Sequence, residues 1–204
     1  MWEVSGNSWS IKRSVIEHYD RLADIYDSLY GEEQRAKIKI IFKVMNTGAG
    51  GLVLDIGCGT GLLIEYSIAD SKCFVGVDLS IKSLRRARER SRRLKAERYV
   101  SLIRADAENL PFRSEVFDRI FALTLIQNVP SPRRALGEIV RVAKDKSQVV
   151  VTGLKKYFTI DEFRGLISSF GECEFFPENH DFIAVLRVNK QRINIGSEKN
   201  RMGE

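Results

Sequence analysis

The sequence predicts an α/β protein with a mostly parallel, doubly wound sheet between two helical layers. Three observations carry this. Leu52-Val53-Leu54-Asp55-Ile56 is a short apolar run that breaks into Gly57-Cys58-Gly59-Thr60-Gly61 and then the apolar Leu62-Leu63. A strand that opens through glycines into a helix brings bare backbone N–H groups close to a ligand. A second apolar run, Phe74-Val75-Gly76-Val77-Asp78, ends in an acid, about 20 residues after the first glycine, where a carboxylate can accept both hydroxyls of a ribose. Strand-like and helical patterns then alternate along the rest of the chain.

The elements follow in order. Met1–Ser10 is polar and irregular apart from Trp2 and Trp9. Ile11, Val15, Ile16, Tyr19, Leu22, Ala23 and Tyr26 have helical spacing, which predicts a helix over Ile11–Tyr30. Lys37–Val44 continues as helix, and Asn46–Gly51 is a turn into the first strand. Leu62–Ala69 is the first crossover helix. Ser80 caps the next, Ile81–Lys95. Arg98–Arg104 and Arg119–Leu123 are the third and fourth strands. A helix from Ser131 or Pro132 runs through Val142, and Gln148–Thr152 is the fifth strand. Thr159 caps a helix to Ser168. Glu172–Phe176 and Phe182–Val188 are strands whose short joint, Pro177–Asp181, leaves them antiparallel or splayed. The chain thus divides into an N-terminal helical lid segment over 1–45, a core over 46–189, and a polar, flexible tail over 190–204.

Composition bounds the function classes. A length of 204 residues at 44% hydrophobic suits one globular domain. No apolar run nears the ~18 residues that span a bilayer, and the N-terminus lacks a signal-peptide pattern, so a cytoplasmic location is expected. Cys58, Cys73 and Cys173 have no metal spacing and read as reduced thiols; no metal is expected. The charge of +6, from 33 basic and 27 acidic residues, permits an anionic partner without requiring one.

The glycine spacing separates two cofactor classes. A dinucleotide fingerprint needs a small residue at the last position of G-x-G-x-x-G, and counting from Gly57 that place holds Leu62. The pattern Asp55-x-Gly57-x-Gly59-x-Gly61, with Asp78, the segment Arg104–Phe112 and Phe117-Asp118, resembles the class I S-adenosylmethionine-dependent methyltransferases of the type 11 and ubiquinone-biosynthesis group. The resemblance covers roughly Tyr19–Val188. It implies a three-layer Rossmann-like sandwich with a seven-stranded, mostly parallel sheet and a C-terminal antiparallel strand pair. It also implies S-adenosylmethionine as cofactor. Gly57, Gly59 and Gly61 would give close backbone approach, and Asp55 would lie near the methionine amino group or brace the loop. Asp78 would hold the ribose, Leu79 would pack on adenine, and Asp106 with the Ala107 backbone would contact its edge. Leu123, closing the fourth strand, and Tyr19, on the lid, complete the cofactor set.

The acceptor face is expected at Leu123–Pro130. It lacks the Asn/Asp-Pro-Pro-aromatic run of enzymes that methylate exocyclic base amines, and no cysteine nucleophile lies near. Gln127-Asn128 stands where the resembled group often has a histidine pair, which leaves amide hydrogen bonding. Tyr19, Thr124, Gln127 and Asn128 are the acceptor-side candidates. Neither His18 nor His180 can be named as a base. The run Lys82–Arg98 is strongly basic and could dock RNA phosphates, which places RNA ahead of a small metabolite as the expected acceptor. The alternative is a catalytically silent cofactor-binding subunit supporting a partner protein; an activator subunit is compatible with either.

Overall fold

A computed structural model describes residues 8–45, 50–177 and 180–190. Two helices, α1 (Ser8–Leu22) and α2 (Tyr26–Val44), precede a core of seven strands. These are β1 (Leu52–Ile56), β2 (Cys73–Asp78), β3 (Val100–Arg104), β4 (Phe117–Ala122), β5 (Ala143–Leu154), β6 (Glu172–Pro177) and β7 (Asp181–Arg187). Between them lie α3 (Ile64–Ser67), α4 (Ile81–Arg93), α5 (Pro132–Val142) and α6 (Ile160–Ser168).

The sheet order is β3-β2-β1-β4-β5-β7-β6, parallel from β3 through β5, with β7 antiparallel to both of its neighbours. The terminal pair is antiparallel as expected, but the last strand inserts beside β5 and leaves β6 at the edge. Side chains alternate across the sheet and build two cores. Val53, Phe74, Phe121 and Val150 pack with Ile38 and Ile41 of α2 and Ile64 of α3. Leu54, Ile56, Ile120 and Val149 pack with α5 and α6. The helix α4 joins the first face, where its Arg90 pairs with Asp27 of α2 and Glu65 of α3.

Several boundaries differ from the sequence reading. The expected helix over Ile11–Tyr30 is two helices, bent at Ala23–Ile25. The bend is closed by Ile25 N–H to the Leu22 carbonyl at 2.9 Å and by Ser28 Oγ to the Ile25 carbonyl at 2.7 Å. Helix α1 begins at Ser8, inside the segment expected to be irregular. The first crossover helix is only four residues, then a 3-10 turn over Ile68–Asp70, because Leu62 and Leu63 belong to the glycine turn. The fifth strand, read as Gln148–Thr152, already begins at Ala143, so Lys144–Ser147 lies within β5, where Lys146 adopts φ 61° and the β4 register shifts. Ser80 and Thr159 cap their helices as read, and Ser131 proves to be the cap of α5; each accepts a backbone N–H. Of the expected tail only Lys190 is described, and it is held by Asp145 and the Val140 carbonyl; 191–204 lie outside the described residues.

Candidate functional site

The carboxyl ends of β1, β2 and β3 and the segment after β4 converge on one cavity, roofed by α1 and the start of α2. Gly57 and Gly59 come from the turn after β1, Asp78 and Leu79 from the end of β2, Asp106 and Ala107 from the turn after β3, and Asn128 from beyond β4. Topology explains the meeting: parallel strands present all their carboxyl ends at one edge, and the crevice lies where the strand order reverses between β1 and β4.

The three glycines take positive φ, at 74°, 53° and 78°, yet their surroundings differ. A Cβ at Gly59 would meet nothing within 4 Å, whereas one at Gly61 would lie 2.9 Å from the Ala87 Cβ. Gly59 is therefore the bare wall of the cavity, and Gly61 lets α4 pack against the turn. Asp78 braces this turn: Oδ2 accepts the Gly59 N–H at 2.9 Å and Oδ1 accepts the Ser80 N–H at 2.8 Å. Burial pushes its carboxyl above the usual range despite these N–H donors. Asp55 is buried behind the loop, and desolvation, with Asp78 nearby, raises its carboxyl to about 8.

Asp106 lies at the far end of the cavity. Its Oδ1 accepts the Glu108 N–H at 2.9 Å, and its Oδ2 takes the Lys12 ammonium at 2.6 Å. Lys12 also pairs with Glu108. At the other end, Asn128 Nδ2 donates both to the Tyr19 hydroxyl at 3.0 Å and to the Thr124 carbonyl at 2.9 Å. Burial raises the Tyr19 and Tyr26 phenols, so both stay protonated at neutral pH.

Of the residues singled out in the sequence, Tyr19, Gly57, Gly59, Asp78, Leu79, Asp106, Ala107 and Asn128 line the cavity. Asp55, Gly61, Leu123, Thr124 and Gln127 do not. Leu123, just past β4 and two positions after Phe121, falls on the same side and packs against the core shared with α2. Thr124 and Gln127 sit behind Asn128, with Gln127 Nε2 bonded to the Thr124 carbonyl at 2.8 Å. His18 and His180 are both exposed and outside the lining.

Leu125, Val129 and Pro130, inside the segment expected to form the acceptor face, join the lining, while Lys12, Val15 and Tyr26 are lining residues that sequence reasoning did not place there. A signal was present for α1: Lys12, Val15 and Tyr19 recur at spacings of three and four, one helix face. It also missed how the roof is fastened. Tyr19-Asp20 and Tyr26-Asp27 repeat one arrangement, in which the tyrosine faces the cavity and the acid grips its far wall. Asp20 accepts Ser80 Oγ at 2.5 Å, and Asp27 accepts Thr60 Oγ1 at 2.6 Å.

Residues 54–151 match the family model Methyltransf_11, a methyltransferase domain. The chain is 34% identical over 141 residues to the phosphatidylethanolamine N-methyltransferase of Cereibacter sphaeroides, covering 68% of this chain and 66% of that one. It is 34% identical over 149 residues to the malonyl-[acyl-carrier protein] O-methyltransferase of Marinomonas sp., covering 72% and 54%. The matches thus span between about half and two-thirds of these relatives' lengths. A solved structure from Methanococcus maripaludis, described as an S-adenosylmethionine-dependent methyltransferase, superposes with a TM-score of 0.71 at 15% identity, covering 94% of this chain and 98% of that one. That likeness speaks to the fold.

Proposed function

Since the chain belongs to the class I S-adenosylmethionine-dependent methyltransferases, we propose that its cavity holds S-adenosylmethionine and serves methyl transfer to a small, largely apolar organic acceptor. The observation that carries this is the meeting, in one cavity, of an open glycine wall, a ribose-competent acid, an adenine-edge acid and a Tyr19–Asn128 wall. The residues fit the cofactor. Gly59 leaves open the space that a Cβ would fill, and each Asp78 oxygen, after taking one N–H, keeps a lone pair for a sugar hydroxyl. Leu79 and Ala107 offer apolar surface for an adenine ring.

When bound, the cofactor supplies a methyl group already activated on a sulfonium. The chain's part is then to orient the two reactants and exclude water. Val15, Tyr19 and Tyr26 roof the cavity, and the Tyr19 hydroxyl, taking its hydrogen bond from Asn128, has its own proton to offer an acceptor. Neither phenol is a base at neutral pH, which favours an acceptor that arrives as a nucleophile: a neutral amine, a carboxylate or an ionised enol. Leu125, Val129 and Pro130 favour an apolar body on that acceptor. The two relatives are named for a lipid amine and a carrier-bound acid, which agree with this class.

RNA is the weaker candidate. Arg90, one of the α4 cations that suggested it, is 3% exposed and spent on Asp27 and Glu65. Arg86 is engaged by Asp24 and Glu89. Incubation with methyl-labelled cofactor, total RNA and an organic-solvent extract of cells tests the reading. Label is expected in the organic extract. Label in RNA would overturn the acceptor class, and cofactor binding with no label anywhere would instead make the chain a silent subunit.

A further inference from the structure

We infer that Lys37 is the positioning residue of the acceptor side: clamped by Asp181, it holds Thr124 in a left-handed conformation, and Thr124 holds the Asn128 amide against the Tyr19 hydroxyl. The inference rests on the reading of the Tyr19–Asn128 wall as the side where the acceptor binds.

Lys37 stands on α2 and is wholly buried, as is Asp181 at the start of β7. Their charged atoms are 2.6 Å apart. Burial strips both ions of water, and an apolar pair of similar volume commonly packs as well or better. Stability alone is therefore a poor reason for this pair. Its remaining hydrogen bond supplies one, because Lys37 Nζ donates to Thr124 Oγ1 at 3.0 Å.

Thr124 has φ 56°, a region that β-branched residues rarely enter and that is held only when the surroundings over-determine it. Here every polar handle of the residue is tied. Its N–H donates to Thr152 Oγ1 at 2.8 Å, its hydroxyl takes Lys37, and its carbonyl accepts from Gln127 Nε2 and Asn128 Nδ2. The strained backbone points the Thr124 carbonyl at the Asn128 amide, and that contact fixes the second Nδ2 proton on the Tyr19 oxygen. A polar relay thus runs from a buried ion pair to the cavity wall, and Lys37, Asp181 and Thr124 lie outside the cavity lining.

The test uses Lys37→Met with Asp181→Leu, which removes both charges while keeping volume, and Thr124→Gly, which leaves the buried pair in place but removes the hydroxyl and relaxes the strain. The full chain is labelled with 3-fluorotyrosine, and Tyr19→Phe identifies the Tyr19 resonance. The double variant should melt at or above the parent and bind S-adenosylhomocysteine with unchanged affinity. Its Tyr19 fluorine resonance should nonetheless move and broaden, and kcat with the identified acceptor should fall about 10–100-fold, the scale of a small misplacement of reacting groups. Thr124→Gly should move the same resonance, and it decides the matter if the double variant does not fold. An unmoved Tyr19 resonance in a folded variant would overturn the inference. Failure of the parent to bind S-adenosylhomocysteine would instead overturn the reading of the cavity on which the inference stands.

Discussion

Replacing two glycines of the same turn should have opposite consequences. Gly59 and Gly61 both have positive φ, so alanine at either is strained by roughly 1–2 kcal/mol. At Gly59 nothing else is added to that cost, since the new methyl meets no atom within 4 Å. The expected fall in Tm is roughly 2–8 °C for a domain of this size. The methyl instead takes up space beside the cavity, and S-adenosylhomocysteine affinity should drop at least about tenfold, or ~1.4 kcal/mol. At Gly61 the methyl would lie 2.8 Å from Ile64 Cδ1 and 2.9 Å from Ala87 Cβ. Overpacking adds about 1–3 kcal/mol, so Gly61→Ala should lose roughly 2–5 kcal/mol of stability while the cavity wall itself is untouched. Thermal melts and calorimetric titration of both variants separate the two. If Gly59→Ala binds as the parent does, the loop does not approach the ligand and the cavity has been misread.

Three further outcomes are expected. Asp78→Ala should lose both binding and stability, because the Gly59 and Ser80 N–H groups are left without their acceptor at about 1–3 kcal/mol each; a variant that melts as the parent would show the brace to be idle. Folded Asp55, with its carboxyl raised to about 8, keeps a proton that the unfolded chain has lost above about pH 4. Stability should therefore fall as pH rises through that window, and Asp55→Asn should flatten part of the slope in denaturant titrations at pH 5 and pH 7.5; an unchanged slope would place the proton elsewhere. Helix α1 has no buried residue and is fastened through Lys12 and Asp20. Lys12→Ala should then speed amide exchange across Ser8–Leu22 about 10-fold, the scale of one charge-assisted hydrogen bond, with β1 and β4 unaffected; equal protection would mean that the roof is held by other contacts.

What could be read from the sequence follows from how far each cause reaches along the chain. The glycine turn and the helix caps at Ser80 and Thr159 are local: residue type, φ requirement and neighbour lie within a few positions, while Asp78 was legible because the strand before it ends at a set interval from the glycines. The strands were legible because buried parallel strands are continuous apolar runs. The roof was not. Lys12 finds Asp106 across 94 positions, and Asp20 finds Ser80 across 60, so the bend at Ala23–Ile25 that lets Asp20 and Asp27 both reach the far wall leaves no periodic trace. Arg90 looked like any other cation of a basic helix, yet Asp27, 63 positions away, draws it inward. The order of β6 and β7 was likewise hidden, because alternation marks a strand without naming its neighbour. Lys37 looked like one more polar position on α2, and only the sheet beneath it shows that its ammonium is buried on Asp181 and Thr124.

The most direct test of the account is a crystal structure of the protein with S-adenosylhomocysteine. The sugar hydroxyls are expected on Asp78, the adenine between Leu79 and Ala107 with its edge toward Asp106, and the sulfur facing the Tyr19–Asn128 wall. A ligand found outside this cavity, or seated with its sulfur toward Asp106, would contradict the account.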